Sequence, residues 1–212
     1  MRRVRKFYIY KMTVDDGGAP CIRSNLLSLA ICKPAIRRTA ERGDIIVGFG
    51  ASSLHPDNRV IYIAEVKKKL CGKNYYSHEK YADRPDRIYL WDGRNFKHRR
   101  NAKYHGKENL SHDLGKRPRY QSAYVLLSRK FRYFGDKGPR NFEHEYPLLA
   151  ARIKSLTEGH RVIRLPDACR RELTRFAANL WKQVSAYSRT RTRSSRMTTC
   201  PRRDGGSLEC SS

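Results

Sequence analysis

Acidic side chains are scarce in this sequence relative to basic ones: 20 Asp and Glu stand against 46 Lys and Arg, for a formal charge of +26. Solubility does not require such an excess. It points to a polyanionic partner, with nucleic acid ahead of an anionic membrane. No run of eighteen apolar residues occurs, so no segment reads as a membrane-spanning helix. Met1-Arg2-Arg3-Val4-Arg5-Lys6 leads directly into a strand-like segment, Phe7 to Met12, and a cleavable signal peptide does not fit. A cytoplasmic protein is expected. The cysteines, Cys21, Cys32, Cys71, Cys169, Cys200 and Cys210, include no pair with the two-residue spacing of a zinc ribbon or redox motif. Reduced thiols are expected, and no metal or other cofactor has a signature in the chain. Internal repeats are also missing.

What is present suffices for one sizeable core. With 212 residues and 39% apolar content, the chain can fold without disulfide or metal staples. Its clearest stretch runs from Leu26 to Val66. Leu26 to Cys32 is an apolar strand, Lys33-Pro34 opens a short basic helix carried by Ile36 to Glu41, and Gly43-Asp44 turns into the β-branched run Ile45 to Gly50. Val60 to Val66 follows as its hairpin partner. Tyr124 to Phe134 alternates as one long strand ended by Gly135. Two helices follow, one over Glu143 to Thr157 and one capped by Asp167 that carries Leu173, Phe176, Leu180 and Trp181. From Tyr187 on, arginines alternate with Ser and Thr and almost nothing can be buried, so residues 187–212 are expected to form a disordered basic tail. Its six arginines against Asp204 and Glu209 account for +4 of the charge and leave +22 to a domain of residues 1–186. These elements predict an α+β fold: a mixed, strongly bent sheet or small barrel with C-terminal helices.

Several short motifs occur in a fixed order: Asp16-Gly17-Gly18-Ala19-Pro20, Cys32-Lys33-Pro34-x-Ile36-Arg37-x-x-Ala40-x-x-Gly43-Asp44, Val60 to Val66, Asp86-Arg87-Ile88-Tyr89, His112-Asp113 and Val125-Leu126-Leu127-Ser128-x-x-Phe131-x-Tyr133-Phe134-Gly135. Together they resemble the nucleotide modification associated domain family, second type, over about residues 7–139, with 143–186 as a helical addition. The resemblance implies a place in bacterial or phage systems that make or handle modified DNA bases, alongside partner proteins of such a system. The Gly43-Asp44 turn with its paired strands also resembles PUA-like barrels, which include modified-base readers.

Lys33, Arg37 and Arg38 cluster on the short basic helix and suit a phosphate clamp; the bland alternative is a solvated face. Gly48 and Gly50 suit close approach of a ligand, or simply a bulge. His112 and Asp113, with His105 and Asp86 upstream, are the group that could serve proton transfer, against a loop-fixing role. Cys32 reads as core and Ser128 has no nucleophile motif. Tyr89 and Trp91, bounded by Arg87 and Arg94 and followed by Arg99 and Arg100, suit a base-stacking face with cations for the backbone. Three functions follow. The first is nucleic-acid or nucleotide binding, DNA ahead of RNA, with a modified base as ligand. An enzyme acting on a modified nucleotide or DNA base comes second, and a basic scaffold without a base pocket third.

Overall fold

The computed structural model describes residues 3–157 and 165–187. Four strands, β1 (Phe7–Met12), β4 (Ile45–Gly50), β5 (Val60–Glu65) and β10 (Lys130–Tyr133), form one sheet in the order β1-β4-β5-β10. β1 and β4 are parallel, and the other neighbours are antiparallel. A second, antiparallel sheet has the order β2-β3-β9-β6 and is built from β2 (Cys21–Arg23), β3 (Leu26–Leu29), β6 (Lys68–Cys71) and β9 (Tyr124–Ser128). β7 (Tyr89–Trp91) and β8 (Phe96–His98) make a separate hairpin. The helices are α1 (Pro34–Thr39), α2 (Gly72–Ser77), α3 (Leu110–Leu114), α4 (Pro147–Lys154) and α5 (Asp167–Lys182). The fold is α+β, and among the described residues its strands do not close into a barrel.

The expected long strand from Tyr124 to Phe134 is instead two strands in different sheets. The break lies at Arg129, where the Ser128 hydroxyl donates to the Lys130 carbonyl at 2.8 Å and accepts from the Lys130 N–H at 3.0 Å. A hydroxyl that satisfies both backbone groups two residues on lets the ladder stop without orphaned donors. The chain changes sheet again after Glu65: Val66 N–H bonds to Asp44 O at 2.8 Å, and Lys67 N–H bonds to Leu127 O at 2.9 Å. These two corners supply the bend read from the sequence.

Strand alternation sorts the core. Ile9, Ile45, Val47, Phe49 and Ile63 face Leu149, Ile153, Leu173, Phe176 and Leu180 of α4 and α5. Tyr8, Tyr10, Met12, Ile46 and Tyr62 face the other way and pack on Leu27, Leu29 and Leu126 of the second sheet. Leu70, Val125 and Leu127 then bury the aromatic layer of Tyr75, Tyr76, Tyr89 and Phe96. Period-two patterning on two stacked sheets requires this division. Gly48 belongs to it: a Cβ there would stand 2.5 Å from the Tyr62 ring and 2.7 Å from Met12 Sδ. The room left by Gly48 is filled by protein, and that beside Gly50 by His55.

The C-terminal helices differ from expectation at their starts. Pro147 opens α4, four residues after Glu143, because its fixed φ suits the first turn. Asp167 is the first residue of α5 and not its cap; Pro166 precedes it, and Asp167 pairs with Arg170 at 2.5 Å. After Tyr187 the expected tail lies outside the described residues. Among the described residues no helix is long and apolar enough to cross a membrane, and Cys21, Cys32, Cys71 and Cys169 are unpaired.

Candidate active site

β3 ends at Leu29, and α1 begins at Pro34, which lacks an N–H and fits only the opening turn. The residues between must reverse direction sharply. Cys32 and Lys33 both take the left-handed region, with φ of 54° and 45°. Two consecutive non-glycine residues there are strained, and such strain persists only where surroundings enforce it. They do so at both backbone groups of Cys32: its N–H bonds to Asp113 Oδ1 at 2.8 Å, and its carbonyl accepts Arg37 Nε at 2.7 Å.

The elbow presents the Cys32 sulfur to His105. Sγ lies 3.2 Å from His105 Nε2, and His105 Nδ1 lies 2.7 Å from Asp113 Oδ2. Asp113 is fully buried near the end of α3 and accepts a third hydrogen bond, from the Tyr89 hydroxyl at 2.8 Å. His105 itself has a positive φ of 45° in the loop before α3. Thiol, imidazole and carboxylate are thus each in hydrogen-bond contact with the next, a geometry that covalent catalysis would use.

Electrostatics support the order of the relay. The Asp113 hydrogen bond, then the Cys32 contact, push the His105 imidazole up to about 10 against the opposing effect of burial. Burial alone would raise the Asp113 carboxyl, but the bonds from His105 and Tyr89 and the Arg37 charge hold it below its ordinary value. At neutral pH His105 is therefore an imidazolium, with one N–H on the carboxylate and the other aimed at sulfur.

The sulfur opens on a cleft of about 350 Å³. Its walls are the segment after β1 (Thr13, Val14, Asp16 and Gly18), the elbow (Cys32 and Lys33) and Lys103-Tyr104-His105. Tyr133 OH donates to Asp15 Oδ2 at 2.6 Å and Tyr104 OH to Asp16 O at 3.1 Å, which pins the first wall. Lys33 holds its ammonium 4.7 Å from the centre of the Tyr10 ring. Burial lowers the Lys33 pKa, and the charge of Cys32 opposes that.

Among the described residues Cys32, His105 and Asp113 are also the group close enough to share a metal ion, with ligand atoms within 4.8 Å of one another. The hydrogen bonds do not converge on one point. Sulfur sits at Nε2 and the carboxylate at Nδ1, on opposite sides of the imidazole, and one ion reaches only one ring nitrogen. The arrangement is a line of proton-sharing groups.

The residues singled out from sequence fall in different places. Asp113 and His105 join the site; His112 is exposed on α3 and Asp86 lies elsewhere, in a buried network with Ser28, Tyr75 and Arg84. Lys33 lines the cleft. Arg37 is fully buried: besides Cys32 O, its guanidinium donates to Ser122 O at 2.8 Å, Tyr124 O at 2.7 Å and Asp113 O. No face of it reaches a phosphate. Tyr89 is also fully buried, holding Asp113, so its ring is not offered to a base. Trp91 is half-buried against Phe96 and Tyr120, with Lys73 Nζ 4.9 Å above its ring. Arg87 donates to Tyr76 O at 2.7 Å, and Arg99 to Arg87 O at 3.2 Å. Arg38, Arg94 and Arg100 are exposed. Sequence reasoning placed Cys32 in the core; the available signal was its position between an apolar strand and a proline-opened helix.

The sequence model of the nucleotide modification associated domain 2 family matches residues 4–161, which include every residue of the relay and the cleft. No curated protein and no solved structure is matched by the chain.

Proposed function

The chain belongs to the nucleotide modification associated domain 2 family, and from that membership we propose that it is a thiol-dependent enzyme of a nucleotide modification system, transferring or removing an acyl group on a nucleotide or DNA base. The observation that carries this is the continuous contact Cys32–His105–Asp113, of which Cys32 and His105 line an open cleft. The Cys32 sulfur, its proton held on His105 Nε2, attacks a carbonyl carbon and forms the S–C bond, and the carbonyl π pair moves to oxygen. Collapse expels an amine or alkoxide that takes the His105 Nε2 proton. Water or a second nucleophile then cleaves the thioester, returning the proton to His105. Asp113 fixes the imidazole orientation throughout, as the carboxylate does in serine and cysteine hydrolases.

The formal charge of +26 favours nucleic acid as the larger partner, DNA ahead of RNA, within the cytoplasm of a bacterial or phage-infected cell. Exposed Arg38, Arg94 and Arg100 would contact phosphates, while the cleft receives the reacting group. Nucleoside mass spectrometry of DNA from the native host tests the enzyme. Cells carrying Cys32→Ala should lack, or accumulate, a modified nucleoside relative to wild type; identical nucleoside profiles would overturn the proposal.

A further inference from the structure

An acyl transfer at Cys32 develops negative charge on the carbonyl oxygen, and donors must await it within hydrogen-bond reach of that oxygen. Cysteine and serine hydrolases commonly use backbone N–H groups at or beside the nucleophile for this. Here the backbone N–H directly after the nucleophile, that of Lys33, is not engaged among the described residues, but its neighbours are unavailable, and a single donor leaves most of the charge to a side chain. The Cys32 N–H is engaged by Asp113 Oδ1 at 2.8 Å, and Pro34, two residues on, has none. Across the cleft the Gly18 N–H is engaged by Asp16 Oδ1 at 2.9 Å.

A side-chain cation stands in the same space. Lys33 follows the nucleophile, lines its cleft, and is half-buried, with its ammonium held over the face of Tyr10. Tyr10 is itself fixed: it is buried, and its hydroxyl is 2.9 Å from that of Tyr62. The cation is therefore preorganised by packing and not drawn aside by a carboxylate; no Asp or Glu pairs with it among the described residues. Lys103, the other cleft lysine, is exposed at the rim with its ammonium 5.2 Å from the Tyr104 ring centre.

We propose that the Lys33 ammonium is the oxyanion-stabilising group of this site, receiving the charge that forms on the substrate carbonyl when the Cys32 sulfur attacks. The inference rests on the thiol-enzyme proposal and deepens it: the substrate class is one whose scissile carbonyl oxygen projects toward Lys33.

Two probes of Cys32 separate the contributions. p-Nitrophenyl acetate acetylates a thiol through an oxyanion: the S–C bond forms, charge gathers on oxygen, and collapse breaks the C–O bond to release p-nitrophenolate. Iodoacetamide alkylates the same sulfur by displacing iodide, with no oxyanion. Modification of Cys32 in the full-length protein by each reagent is followed by peptide mass spectrometry. Lys33→Asn is the neutral variant, because Asn tolerates the left-handed backbone that this position requires.

The expected result is that Lys33→Asn slows acetylation by about tenfold, the order of one charge at contact distance in a cleft open to water, and leaves iodoacetamide alkylation within about twofold. Lys33→Arg keeps the charge and should recover most of the acetylation rate, and Lys103→Asn should leave the ratio of the two rates unchanged. Equal losses with both reagents, no loss with either, or an equal fall in Lys103→Asn would overturn the assignment of Lys33 while leaving the thiol enzyme standing. A wild-type Cys32 that reacts no faster than Cys71 with either reagent would overturn both.

Discussion

Arg37 Nε donates to the carbonyl oxygen of Cys32 at 2.7 Å, so the residue that faces the cleft is held from behind by a buried guanidinium. The same fork bonds carbonyls of Ser122, Tyr124 and Asp113, tying the elbow, the end of α3 and the start of β9 into one unit. A planar donor set that reaches several carbonyls at once is a property of Arg that Lys does not share.

Arg37→Ala leaves those carbonyls without their donor in a dry environment. An unsatisfied buried acceptor costs about 1–3 kcal/mol, so a loss of about 3 kcal/mol or more is expected in urea denaturation. Arg38→Ala, at an exposed position of the same helix, should change stability by less than about 0.5 kcal/mol. Equal, small effects for the two arginines would mean that the buried fork contributes nothing.

His105 gives the protein a pH dependence of known sign. Its pKa is raised in the folded state, to about 10 from an ordinary value near 6.5. The stabilisation it contributes is therefore complete below about pH 6.5 and is lost as pH rises through about 10. The difference in denaturation midpoint between wild type and His105→Gln should shrink over that interval. A difference that grows with pH would show that the folded protein holds the neutral imidazole.

Tyr89→Phe removes one of three donors to Asp113 and little volume. A hydrogen bond to a charged group is worth about 1.5–3 kcal/mol, and a loss of that size is expected. Iodoacetamide labelling of Cys32 should also slow, since the carboxylate that aims His105 is less firmly held. Nucleic-acid affinity should be untouched, because the ring is buried; a selective loss of affinity in a stable Tyr89→Phe protein would return the ring to a base-contacting position.

For the full chain, contact with roughly six phosphates predicts that log affinity for DNA falls with log salt at a slope of about −5. Filter binding across a range of salt gives the slope. A value near zero would remove nucleic acid as the partner favoured by charge.

The strands and their faces were legible because alternation is local: Phe7–Met12 matches its expected bounds, and the helix–turn–strand run from Pro34 to Gly50 follows the Pro and Gly signals. Nothing local marks a break at Arg129, because Tyr124 to Phe134 reads as one strand, while the break depends on the Ser128 hydroxyl closing on Lys130. Arg37 looked like surface since charge is rarely buried without a carboxylate, and its carbonyl partners lie as far as Tyr124 in sequence. His105 and Asp113 stand in one sequence group with His112 and Asp86, but nothing local says which histidine meets the carboxylate or that Cys32 joins them. The Asp113 carboxylate meets Cys32 and His105, 81 and 8 residues away, and only tertiary structure joins the three.

The ladder between β1 and β4 ends with Met12 opposite Gly50, so the cleft wall from Thr13 to Gly18 carries no strand pairing. Its fastenings are to Tyr133 and Tyr104, whereas the sulfur, imidazole and carboxylate hold one another with the help of Arg37 and Tyr89. In the proposed enzyme, reactivity and selectivity thus fall on separate stretches of chain. Replacing the wall from Thr13 to Gly18 by a segment of different length or charge should therefore change which chemical group enters the cleft while leaving the contacts among Cys32, His105 and Asp113 in place.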